Sequence, residues 1–115
     1  MMLQQPDANA RLLHAAEVGN SLAMSQALAE GANPRHADAQ QLNTALHQAA
    51  KLGDVRAVEL LLAARADPNA TNAVQATPLV YAAQKGHHDA VKALLASGAR
   101  RDILTRVQPR ARASG

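Results

Sequence analysis

The sequence predicts an all-α fold, a stack of helix-turn-helix pairs. Three observations carry that expectation. A unit of about 33 residues recurs along the chain, each copy has helix start and stop signals at the same places, and the apolar content is mostly Ala, Leu and Val. Thr44 matches Thr77, Leu46 matches Leu79, Ala49-Ala50 match Ala82-Ala83, and Gly53 matches Gly86; Val58 matches Val91 and Leu61-Leu62 match Leu94-Leu95, all 33 positions apart. A fainter copy lies 34 positions before the second: Leu12, Ala15-Ala16, Gly19 and Leu28, with "EGANP" opposite "ARADP". A period of this length marks architectures in which one supersecondary unit stacks on the next.

The elements follow in order. In the first copy, "RLLHAAEVGNSLAMSQALAEGANP", Gly19 ends a first helix, Asn20 stands where a second would be capped, and Pro34 enforces an extended exit. In the second, Thr44 is the N-cap of "ALHQAAKL", a helix of about two turns. Gly53 takes the left-handed conformation that ends it, and Asp54 caps "VRAVELLLAA". Along that helix Ala57, Val58, Leu61 and Leu62 share a face, Arg56 and Glu59 turn elsewhere, and Pro68 closes the unit. In the third, Pro78 follows the cap Thr77, where a missing N–H costs a helix nothing, and His87 takes the capping place of Asn20 and Asp54.

No copy folds alone. Two short helices bury too little area to offset ~1–2 kcal/mol per residue of backbone ordering. Stacked, each leucine of the second helices contributes ~1.5–3 kcal/mol by leaving water. Repetition is therefore a packing demand: the apolar face of one copy needs another copy.

At 115 residues the chain makes one domain, residues 1–108, with repeats at about 8–37, 39–71 and 72–104 and a disordered basic tail at 109–115. Trp and Phe are absent and Tyr81 is the only aromatic, which suits thin layers of close-packed helices. The absence of Cys excludes disulfides and thiolate metal sites. No apolar run approaches the ~20 residues that span a bilayer. The start "MMLQQPDANARLL" lacks a basic stretch followed by an apolar one, so a secretory signal is not expected. The expectation is a soluble, cytoplasmic monomer, with the nucleus also compatible.

The net charge is +3 and the isoelectric point near 10.0. Residues 100–115 hold Arg100, Arg101, Arg106, Arg110 and Arg112 against Asp102 alone, so the tail carries +4 and residues 1–99 sum to −1. The basicity is local.

The strings "TALHQAAKLGDVRAVELLLAARADPNA" and "TPLVYAAQKGHHDAVKALLASGA" resemble ankyrin repeats, and the first copy resembles that family's degenerate N-terminal repeat. The resemblance spans roughly residues 8–103. It implies a solenoid of antiparallel helix pairs with short β-hairpin finger loops at right angles and a concave face that binds proteins. Some positions depart from the pattern. Arg65 sits where the family prefers the glycine kept at Gly31 and Gly98, which costs on the order of 1 kcal/mol if that backbone is left-handed. The fingers "DAQQLN" (38–43) and "NAVQA" (72–76) lack their usual glycine, and the first is one residue longer.

Chemistry finds little purchase. The resemblance gives His47 a structural role, tying the loop through hydrogen bonds. Adjacent side chains of His87 and His88 point about 100° apart on a helix and do not chelate one ion easily, and His14 and His36 are isolated in sequence. No serine lies in a nucleophile elbow and no phosphate-cradling glycine pattern exists, so neither catalysis nor a cofactor or metal is expected.

The surface that carries function, by the resemblance, is the concave one. Its fingers supply Gln40, Gln41 and Asn43, then Ala73, Val74 and Ala76. Its first helices supply Glu17, Val18, Lys51, Leu52, Gln84 and Lys85, with His14, Gln48 and Tyr81 in the row behind. Tyr81 beside Lys85 and Leu52 is the candidate anchor for a protein partner; filling an inter-repeat gap with its hydroxyl in water is the competing role. The tail arginines raise a second function, binding of nucleic acid or another anionic surface; a solvated end is the plainer reading. Ile103, Leu104 and Val107 are expected to fold back over the third repeat.

Overall fold

The computed structural model describes residues 7–100. Six helices follow one another there: α1 (Ala8–Val18), α2 (Ser21–Ala29), α3 (Ala45–Leu52), α4 (Val55–Ala63), α5 (Pro78–Gln84) and α6 (His88–Ala96). The first helix of each pair opens on a side-chain cap, with Asp7, Thr44 and Thr77 accepting from the N–H of Ala10, His47 and Val80. In α3 the His47 imidazole reaches back to the N–H of Thr44, completing a capping box with histidine in the place of Glu or Gln. Asn20 and Asp54 cap α2 and α4 by accepting from Ala23 and Ala57.

His87 breaks that series. Its side chain makes no cap bond for α6; instead Nε2 lies 3.2 Å from the carbonyl oxygen of Lys51, near the end of α3. The imidazole is longer than the Asn and Asp side chains at the equivalent places. It therefore spans the gap to the preceding repeat and meets a carbonyl that the helix end leaves short of partners. The ring passes directly over Gly53, where an added Cβ would stand 2.5 Å from His87 Nδ1. Gly53 also has φ +73°, so both its backbone and its neighbour require a residue without Cβ.

α1, α3 and α5 pack in one row and α2, α4 and α6 in a second. The core fills the seam between rows. Leu12, Leu46 and Leu79 enter it from the first helices, and Met24, Val58, Leu61 and Leu94 from the second, none more than 1% exposed. Ala49, Ala50 and Ala82 are buried in the first-helix row, where small side chains let neighbouring helices approach closely. Ala83, the counterpart of Ala50, is exposed, since among the described residues α5 has a helix pair on one side only. No described helix is long and apolar enough to cross a membrane.

The loops between repeats are joined by a recurring bond. Arg35 Nε donates to the carbonyl of Arg65 (2.9 Å), and Asn69, its counterpart one repeat on, donates to the carbonyl of Gly98 (3.2 Å). Both acceptors belong to left-handed residues: Arg65 has φ +75° and Gly98 has φ +97°. Arg65 thus occupies, without glycine, the conformation that Gly31 and Gly98 adopt with it.

The hairpin fingers are reduced to tight turns. The first keeps an isolated antiparallel bridge between Ala37 and Thr44, and no strand occurs among the described residues. Each finger is organised by the acid or amide that opens it. Asp38 Oδ1 accepts from the N–H groups of Gln41 and Leu42, and Asn72 Oδ1 from those of Val74 and Ala76. Leu42 and Gln75 turn the corners with φ +59° and +64° where glycine is usual. The N–H of Ala73 donates to the carbonyl of Gln41 (2.9 Å), stacking finger on finger. Ile103, Leu104 and Val107, the tail at 109–115 and all tail arginines except Arg100 lie outside the described residues.

Candidate functional site

The face that joins fingers to first helices is organised from beneath by two buried assemblies. The first is centred on His47, which is fully buried. Its Nδ1 accepts the N–H of Thr44 (3.1 Å), so the other nitrogen carries the proton, and Nε2–H donates to the carbonyl of Ala76 (2.8 Å). Burial, which disfavours the charged ring, lowers its pKa below the usual 6.5; the nearby Lys51 adds to this, and the acceptor carbonyls of Ala76 and Ala70 oppose it. A neutral imidazole in one tautomer therefore clamps α3 to the next finger.

The second assembly is a chain of amides. Asn72 Oδ1 is occupied by two backbone N–H groups, which fixes the orientation of its amide. Its Nδ2 then donates to Asn43 Oδ1 and to the hydroxyl of Tyr81, both at 2.8 Å. Asn43 Nδ2 continues the chain to Gln41 Oε1 (3.1 Å). Tyr81 also meets the His47 ring edge-on at a 6.1 Å centroid separation. Its ring carries Lys51 Nζ above it, 5.1 Å from the centroid, in cation–π geometry.

This wiring corrects two of the expected surface positions. Asn43 is 2% exposed and Ala76 is 6% exposed, because each finger folds its last residue inward to bond the element beside it. Neither side chain is offered to a partner. Gln40, Gln41, Ala73, Val74, Leu52, Gln84 and Lys85 are exposed, while Gln48, Lys51 and Tyr81 are half-buried. Tyr81 packs between repeats against the His47 ring, and its hydroxyl is bonded by Asn72.

Two residues escaped the sequence reading. Leu42 is a large apolar side chain held exposed at the first finger's corner, close in character to Val74 on the second. Asn72 is the hub of the amide chain. The available signal for Asn72 was its position opening the finger, as Asp38 opens the previous one, since both residue types favour such turns. Nothing in the sequence distinguished the amide that would be shared with a neighbouring repeat.

Among the described residues no three His, Asp or Glu side chains gather as ion ligands. A groove of about 310 Å³ between α1 and α2 is lined by His14, Val18 and Asn20 among others and is mostly apolar.

The sequence matches, over residues 8–105, a family model for ankyrin repeats in three copies. The chain belongs to the ankyrin-repeat family. The match covers all six helices, and the fold is the all-α repeat stack of that family. Ankyrin repeats are generally protein–protein interaction modules and are typically not catalytic. No curated protein sequence matches this ankyrin-repeat chain significantly.

Proposed function

We propose that this ankyrin-repeat protein is an adaptor or inhibitor that binds a protein partner on the face formed by its fingers and first helices, without chemistry of its own. The observation that supports this most is the set of apolar side chains kept exposed there. Val18, Leu42, Leu52 and Val74 are between 47% and 72% exposed; among the described residues Leu22 on α2, 69% exposed, is the one large exposed hydrophobic outside that set. Apolar surface clustered on one side of a small protein marks a docking site. A frame tied together by His47 and Asn72 loses little freedom when it binds, which favours affinity from a limited area.

The test is an affinity pull-down from native lysate using the full chain. Wild type is compared with Leu52→Arg/Val74→Asp on the finger face, with Arg56→Glu on the second helices, and with deletion of residues 101–115. Loss of a captured protein in the first variant alone supports the reading. Capture that depends only on the deleted arginines, and that collapses with added salt, assigns function to the tail and an anionic target instead.

A further inference from the structure

The finger-side face presents hydrogen-bond donors that meet no acceptor among the described residues. Asn72 Nδ2–H is donated to the Tyr81 hydroxyl, so that oxygen is already used as an acceptor and its own proton is directed elsewhere. Among the described residues no acceptor receives that proton. Lys51 stands over the same ring with its ammonium 5.1 Å from the centroid. Lys85, one helical turn after Tyr81 on α5's exposed end, adds a second ammonium. Neither lysine has a carboxylate within ion-pair distance among the described residues.

Acidic groups on the neighbouring elements make other bonds and pair with neither lysine. Asp38 spends Oδ1 on its own finger, and Asp54 caps α4. Glu17 sits one repeat away beside His14. What remains is a cluster that donates, with exposed Leu52 following Lys51 in sequence and exposed Val74 on the finger that Asn72 opens.

Resting on the reading of this face as a protein-binding surface, we infer that its partner is an acidic peptide segment, one whose Asp or Glu carboxylate is received by Tyr81 O–H and Lys51 while neighbouring aliphatic side chains meet Leu52 and Val74. A carboxylate supplies two acceptor oxygens and a negative charge to a hydroxyl and two ammonium groups that have no acceptor or ion-pair partner among the described residues. A phosphate backbone answers the charge equally well, yet it offers nothing to Leu52 and Val74. Tyr81, the only Phe, Tyr or Trp in the sequence, is half-buried with Lys51 over its ring, which also disfavours base stacking by a single-stranded nucleic acid.

The experiment pans a random-peptide display library against the full chain and, in parallel, against Lys51→Glu, with circular dichroism and thermal midpoints establishing that each variant is folded. The wild-type pool should be enriched in Asp and Glu beside Leu, Ile or Val, and the Lys51→Glu pool should lose that acidic bias. A selected peptide should bind Tyr81→Phe about tenfold more weakly, the worth of one hydrogen bond to a charged group. Peptides without acidic enrichment that still lose binding to Leu52→Arg overturn the inference and leave the protein-binding face standing. Peptides that bind Leu52→Arg/Val74→Asp as well as wild type, or an empty selection, overturn both. A fluorescent single-stranded RNA that binds wild type more tightly than any selected peptide, and weakens with Lys51→Glu, also overturns the inference.

Discussion

His47 donates Nε2–H to the carbonyl of Ala76 across 2.8 Å, so one buried imidazole holds the second repeat's first helix to the third repeat's finger. The same ring accepts from Thr44 through Nδ1, and the pair of bonds requires the neutral form. Protonation places a donor against the N–H of Thr44 and a positive charge in a dry site beside Lys51.

Stability should accordingly depend on pH through this residue. The folded pKa lies below the unfolded value of about 6.5, so on acidification the unfolded chain takes up the proton first. The contribution is fully present above pH ~6.5 and is lost as pH falls below it toward the folded value. Urea midpoints should drop between pH 7.5 and 5.5 in wild type, and the drop should be smaller in His47→Gln. An identical slope in both proteins would show that His47 is not the group responsible.

Arg65→Gly should stabilise the protein by about 0.5–1 kcal/mol. The left-handed backbone at φ +75° strains any residue with Cβ, and the interrepeat bond there uses the Arg65 carbonyl, which the substitution leaves in place. Chemical denaturation of the two proteins measures the difference, and a fall in stability would assign a packing role to the arginine side chain.

Gly53→Ala should cost about 2 kcal/mol or more, combining left-handed strain with the displacement of the His87 ring that lies over it. The two parts separate in a double-mutant cycle. In a His87→Ala background the same change should cost only the backbone part, about 1 kcal/mol. Strict additivity of the two substitutions would mean that the ring moves aside freely.

Asn72→Ala should destabilise by about 2–3 kcal/mol, because it strips partners from the Asn43 amide, the Tyr81 hydroxyl and the N–H groups of Val74 and Ala76 together. Tyr81→Phe removes a single bond from a half-buried group and should cost about 1 kcal/mol or less. Equal losses in the two variants, read by thermal or urea denaturation, would argue against Asn72 as the hub.

Much of the frame was legible before any coordinates. Helix propensity, capping and apolar spacing act within a few residues, so Thr44, Gly53, Asp54 and Pro78 announced their elements, and Leu61 and Leu94 announced the core. The 33-residue period carried the stacking, since a unit that cannot bury its own face must meet another. Even the left-handed strain at Arg65 was foreseeable, because its place in the period is glycine elsewhere.

The choice of partner across the repeat boundary was hidden. Whether His87 caps its own helix or crosses to Lys51 depends on a gap whose width is set by packing. Whether Asn43 faces solvent or Asn72 depends on how one finger lies on the next. These bonds join residues about 30 positions apart, and a linear pattern records which donors exist without recording what they will face. Local chemistry wrote the helices; the stacking of one pair on another chose which polar groups were consumed inside and which were left at the surface.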